Sequence, residues 1–299
     1  MKLYLAGLYT SNFDLKGKLY SRLTDEEKTH RDNVKYILES YHYIHKDSYV
    51  KKIRKDNKKV FLDSGAFSAF TKGVKVDIKK YCRYIQANED IIECASVLDA
   101  IGDPQGTFEN QAEMERLGTR PLPCFHYGED ERYLEYYVAN YEYITLGGMV
   151  PISTPQLKFW LDRLWEKYLT DGAGRPKIKV HGFGLTTISL MKRYPWYSVD
   201  SSSWVQIAAN GNIIHPDHGA IPVSVSSPAR KQHGQHIDTM APDLREALSR
   251  KLEEPGFEVK RLQEEYISRW TFNCWAFTEM NVRQLEEDPK FIPDQIGLF

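Results

Sequence analysis

Seven short β-rich runs, separated by stretches of helical spacing, recur through the first two thirds of the chain, and no other feature limits the fold as strongly. They are KLYLAGL (2–8), VFLDSG (60–65), ASVLDA (95–100), RPLPCFHYG (120–128), YITLGGM (143–149), KIKVHGFG (177–184) and WYSVDSSSW (196–204). Between them, residues 25–45 follow an N-cap candidate, Thr24, and place Val34, Ile37, Leu38 and Tyr41 at helical spacing. Residues 155–168 follow Thr154-Pro155 and bring Leu157, Trp160, Leu161, Leu164 and Trp165 to one face. Such alternation means a parallel sheet with helices outside it. Seven strands before residue 205 suit an α/β fold of the (β/α)8 TIM-barrel type, and 299 residues can hold one. There is no GxGxxG and no GxxxxGK[ST], so neither a dinucleotide fold nor a P-loop is supported.

The pattern changes after Trp204. WVQIAANGNIIHP reads as a hairpin around Asn210-Gly211. A polar segment (224–240), a helix from about 242 to 253 and a long amphipathic helix from about 259 to 281 follow. The expected organisation is a barrel domain over 1–240, with a hairpin insertion near 204–216, and C-terminal helices over 241–299 packed on it as a small extension. Cys82, Cys94, Cys124 and Cys274 lie far apart with no CxxC pair, which fits a reducing cytoplasm, or a host cytoplasm for a viral protein. No apolar run approaches the roughly 20 residues that span a bilayer, so no membrane partner is expected.

Barrel enzymes carry their sites at the C-terminal ends of the strands. Here those ends hold Asp63-Ser64-Gly65-Ala66-Phe67, Asp99 with Asp103 beyond it, His126-Tyr127-Gly128, Gly147-Gly148-Met149, His181-Gly182-Phe183-Gly184 and Asp200-Ser201-Ser202-Ser203. A lone strand-end aspartate is usually a helix cap. Three of them after buried strands, beside Gly or Ser, point to nucleophilic and acid–base chemistry of the glycosyl-transfer kind. The paired glycines let backbone approach a flat ligand, and Phe67 is placed to stack on an aromatic base. Net charge is −1, but residues 1–80 carry 18 bases and 10 acids (net +8), and the rest 22 and 31 (net −9). The densest basic stretch, Lys51 to Lys59, runs directly into the Asp63 strand.

Taken in order, these residues resemble the tRNA-guanine transglycosylase superfamily. Leu62-Asp63-Ser64-Gly65-Ala66-Phe67 is similar to its DSGG(F/Y) motif, Leu146-Gly147-Gly148-Met149 to its GGL loop, and Val199-Asp200 to the strand that ends in its nucleophile. The resemblance spans residues 60–204. It implies a (β/α)8 barrel that exchanges guanine in a polynucleotide for a 7-deazaguanine, with the free base as co-substrate and no cofactor. It implies Asp200 as nucleophile at C1′ and Asp63 as the group taking the N9 proton of the incoming base. Asp99, Ser64 and His126 would hold the base edge, Gly147, Gly148 and Met149 its carbonyl side, and Phe67 would stack. The chain departs from the tRNA enzymes at Ala66, where they carry Gly, and at His126, where they carry a base-reading Gln. It also lacks their CxCxxC…His zinc cluster, since Cys274 alone follows Asp200. His215, His218, His233 and His236 form HxxH pairs without Cys or carboxylate support, so no metal is expected.

The chain is most similar to the 7-deazaguanine DNA transglycosylases, a branch that includes compact phage members. Under that reading the partner is DNA, with tRNA as the alternative. Lys51, Lys52, Arg54, Lys55, Lys58 and Lys59 would contact phosphates. The target guanine must be flipped out or single-stranded, and Tyr194, Trp196, Tyr197 and Trp204 are candidates to wedge or stack. Two readings from other classes stand beside it: a metal-dependent barrel hydrolase using His126, His181 and the aspartates, and a non-catalytic nucleic-acid-binding barrel.

Overall fold

The computed structural model describes residues 1–10, 19–185, 187–283 and 289–294, without the side chains of 281–283. Parts of the expected C-terminal region, 284–288 and 295–299, lie outside the described residues. Contacts divide the chain into two units. One holds Met1–Ala6, Tyr36–Ser201 and the tail after residue 284; the other holds residues 7–35 and 202–284.

The first unit is an α/β fold around eight parallel strands: β1 (Lys2–Ala6), β2 (Tyr36–Ser40), β3 (Lys59–Asp63), β4 (Ile92–Ala95), β5 (Cys124–His126), β6 (Tyr143–Gly147), β7 (Lys179–Gly182) and β8 (Ser198–Ser201). Their order is β4-β3-β2-β1-β8-β7-β6-β5. The eight strands form one curled sheet. Ser96 and Leu122 form a parallel bridge, Leu122 N donates to Ala95 O (2.8 Å), and Val97 N donates to Leu122 O (3.0 Å). Strand centres are apolar and fully covered, as in Val60-Phe61-Leu62, which is how parallel strands buried on both faces read.

β2 corrects the sequence reading. Residues 25–45 are not one helix but a helix (Asp25–Asp32), then β2, then a short helix (Tyr41–Ile44). Thr24 does cap the first helix, with Glu27 completing a capping box. Val34, Ile37 and Leu38 mimic a helical stripe, yet Ile37 and Leu38 are consecutive buried strand residues. The eighth strand therefore sits between the first two expected ones.

Because alternate strand residues share a face, Phe61 and Asp63, Ser198 and Asp200, Cys124 and His126, and Thr145 and Gly147 each form i, i+2 pairs. Below the carboxylates, Tyr4, Leu38 and Phe61 form a buried cluster with Tyr36, Cys94, Leu122 and Phe183 against it. The His181 ring stacks on Phe61 at 4.2 Å.

In the second unit, residues 203–209 are helical and end at Asn210-Gly211, where Gly211 has φ +81°. The hairpin lies further on, pairing Asn212–His215 with Gly219–Pro222. The expected turn at Asn210-Gly211 is thus a helix end, the other use of a residue in the left-handed region. Helix Pro242–Glu253 lies as expected, while 259–281 divides at Glu265 into Val259–Glu264 and Tyr266–Arg283. Ile213, Ile221, Ile237, Leu252 and Phe272 belong to this unit's core. No helix among the described residues is long and apolar enough to cross a membrane.

Candidate active site

A cavity of about 740 Å³ opens at the C-terminal ends of the strands. Asp63, Phe67, Asp99, Cys124, His126, Glu129, Gly147, Gly148, Met149, Phe183 and Gly184 are among the residues that line it. That volume suits a nucleoside-sized ligand.

Of the strand-end aspartates, Asp103 is a helix cap: it accepts from Gly106 N (2.9 Å) at the start of Pro104–Arg116. Asp63, Asp99 and Asp200 cap no helix. Asp200 is the third of the four residues of the wholly buried strand β8 and accepts a hydrogen bond from Gly184 N (2.9 Å). His181 Nε2 lies 3.3 Å from the same carboxylate oxygen, and its Nδ1 is 2.6 Å from Ser198 Oγ, which is 2.6 Å from Tyr143 OH. Burial lowers the pKa of His181, against the pull of Asp200. A neutral ring then donates from Nε2 to Asp200 and accepts at Nδ1 from Ser198, whose own acceptor is filled by Tyr143. The chain of donors points at Asp200 and fixes its orientation.

Asp63 is different. Burial, then the neighbouring charge of Asp99, raises its pKa to about 7, and the Gly65 N–H only partly opposes this. Gly65 N donates to Asp63 Oδ2 at 3.1 Å across a turn in which Gly65 has φ +73°. A Cβ on Gly65 would come within 2.4 Å of Ser40 Oγ and 2.9 Å of His42 N. Gly65→Ala is therefore expected to cost about 2 kcal/mol or more, read as a lowered urea midpoint. Ala66 meets no such demand, because it already lies in the first turn of helix Ala66–Thr71.

Phe67 stands 68% exposed at the cavity. Asp99 Oδ1 is buried without a hydrogen-bond partner. His126 is held from behind by Glu129, which accepts from its Nδ1 (2.9 Å) and its backbone N (2.9 Å). His126 Nε2 faces Cys124 Sγ (3.4 Å) and Asp99 Oδ1 (3.6 Å). Burial works against a charged His126, but the surrounding Cys124, Asp99 and Glu129 outweigh it and raise its pKa. Gly147 is close to both groups: a Cβ there would lie 2.9 Å from His126 Cδ2 and 3.0 Å from Cys124 Sγ.

Other expected residues are not gathered here. Ser64 is fully buried, its N–H on Ser96 Oγ (3.0 Å) and its Oγ facing Ala66 N, so it braces the turn and does not line the cavity. The basic segment lies at the other end of the sheet. Lys59 begins β3 and Asp63 ends it, a rise of roughly 13 Å. Lys58 is buried, and Arg54 is engaged by Asp90 (2.6 and 2.9 Å). Lys51 and Lys55 are exposed, on helix Asp47–Lys55, and Lys52 is half-buried. Tyr194, Trp196 and Trp204 are buried core residues, not wedges. His236 is committed to Ser224 O (2.9 Å) and Asp238 N (3.1 Å).

Sequence reasoning did not assign Cys124, Glu129 or Gly184 to the site, nor Ser198 and Tyr143 to the support of His181. The i, i+2 spacing of Cys124 with His126 and of Ser198 with Asp200 was the available signal. No protein-family model matches the chain, and no curated protein matches it.

Proposed function

We propose that this chain is a DNA-guanine transglycosylase. It exchanges guanine in DNA for a 7-deazaguanine base, such as 7-cyano-7-deazaguanine, through a covalent Asp200–glycosyl intermediate on a (β/α)8 barrel closed through Ser96 and Leu122. The observation that carries this reading is the pair of unlike carboxylates on the inner face of one curled sheet. Asp200 is clamped by Gly184 and His181, and Asp63 changes protonation near neutral pH at the edge of a nucleoside-sized cavity.

In this reading Asp200 attacks C1′ as the C1′–N9 bond breaks and guanine leaves with a proton on N9. The incoming base gives its N9 proton to Asp63, and N9 then displaces Asp200. Two displacements preserve the anomeric configuration, and a carboxylate suits the oxocarbenium-like transition state. Asp63 exchanges a proton in both halves of the cycle, which a pKa near the working pH favours. Asp99 and His126 face the base edge, the Gly147-Gly148 backbone its carbonyl side, and Phe67 offers a stacking face. Asp200 is only 5% exposed, so a base stacked in duplex cannot reach it and must be flipped out. The basic segment, at the other end of the sheet, supplies no contact at the cavity.

The test is incorporation of labelled guanine, and of 7-cyano-7-deazaguanine, into DNA and tRNA in parallel. Incorporation into DNA alone is the expected result. Incorporation into tRNA alone moves the substrate to tRNA, and none into either overturns base exchange.

A further inference from the structure

Three side chains that line the cavity converge on one point. Asp99 Oδ1, Cys124 Sγ and His126 Nε2 all lie within 4.8 Å of one another. Atoms that bind one tetrahedral ion at 2.0–2.3 Å sit about 3.3–3.5 Å apart. The observed separations are 3.4 Å for sulfur to nitrogen and 3.6 Å for nitrogen to oxygen. The Cys124–His126 contact is also a hydrogen bond of ordinary length for sulfur. The His126–Asp99 distance is too long for one, and Asp99 Oδ1 is left buried with no donor.

The groups around the three fit the same reading. Glu129 accepts from His126 Nδ1, so an ion that displaces the Nε2 proton meets a lone pair on the side of Cys124 and Asp99. A carboxylate behind a histidine is the usual outer partner of a metal-binding imidazole. Gly147 leaves space beside both the ring and the thiol. All three groups line the cavity, so a fourth coordination position opens into it.

We propose that Asp99, Cys124 and His126 form a binding site for one divalent transition-metal ion, zinc by ligand type, with a fourth position open to the cavity. Thiolate, imidazole and carboxylate together suit zinc, and three protein ligands with an open position is the pattern of reactive zinc sites. The ion takes the place of a proton on the His126–Cys124 pair, so binding releases protons. Its role is to receive a Lewis-basic oxygen or nitrogen of whatever occupies the cavity. The site does not depend on the base-exchange reading, and its test uses no activity.

The full chain, stripped with a chelator, is titrated with Zn²⁺ against a chromophoric chelator and with Co²⁺ in the absorption spectrometer. One tightly held ion per chain is expected, with a near-ultraviolet thiolate-to-cobalt charge-transfer band. Cys124→Ser should abolish that band and weaken Zn²⁺ binding at least 100-fold, and Glu129→Gln should weaken it about 10- to 100-fold. His215→Ala, in the second unit, should change neither. No ion retained by the wild-type chain, or a cobalt spectrum without the thiolate band, overturns the proposal whatever the folding of the variants. Loss of binding in His215→Ala with retention in Cys124→Ser overturns it equally.

Discussion

Asp200→Asn is expected to lower base exchange by about 10⁴-fold or more and to abolish any adduct that survives denaturation. The amide keeps the shape of the carboxylate, and its oxygen can still accept from Gly184 N (2.9 Å in the wild type). His181 stays locked by Ser198 beneath it. Only the nucleophilic charge is removed, so a variant that folds with wild-type cooperativity and fails in exchange locates the loss in chemistry. The readouts are incorporation of labelled guanine and a covalent protein–DNA species on a denaturing gel. Full activity in the variant rules out a glycosyl–Asp200 intermediate. A variant that loses exchange yet still traps an adduct places the nucleophile elsewhere, and Asp63 is the carboxylate next in line.

How much of this was legible in the sequence differs from residue to residue, for physical reasons. Asp63, Asp99 and Asp200 could be found because each follows a run of buried residues, where a charge has no packing purpose. β2 could not be told from a helix. Tyr36–Ser40 has three consecutive covered residues, and a fully buried parallel strand carries no alternation to mark it. Asn210-Gly211 satisfied the rule for a hairpin turn, but the same left-handed glycine also ends helices, and only contacts beyond the local window choose between them. The basic run 51–59 was visible as charge. Its distance from Asp63 was not, because adjacency in sequence along one strand means opposite ends of the sheet in space. Cys124 and Glu129 gain their meaning only from the pairing of β5 with β6 and from a turn that carries Glu129 back to His126.

Asp63→Asn is expected to stabilise the protein at pH 8 by about 2–3 kcal/mol relative to wild type, with a much smaller gain at pH 5, while lowering exchange roughly 10²- to 10³-fold. The sign follows from the proton. In the unfolded chain Asp63 ionises near the ordinary aspartate value, about 3.9. In the folded protein burial and the Asp99 charge hold its proton until about pH 7. The folded state therefore binds the proton more tightly, and Asp63 costs progressively more stability as pH rises through that window, levelling off above it. Three pH units correspond to about 4 kcal/mol, and the partial opening of Asp63 to the cavity reduces this. An asparagine cannot ionise, so it escapes the cost and keeps an oxygen for Gly65 N. Urea unfolding of both proteins across pH 5–8 measures the effect, and the difference between them cancels the titration of every group whose surroundings are unchanged. A gap that stays constant with pH would mean that Asp63 does not titrate there and cannot exchange the N9 proton near neutrality. A gap that widens with pH while exchange falls shows a carboxylate kept where it weakens the fold, for which the handling of a proton at the cavity is a sufficient reason.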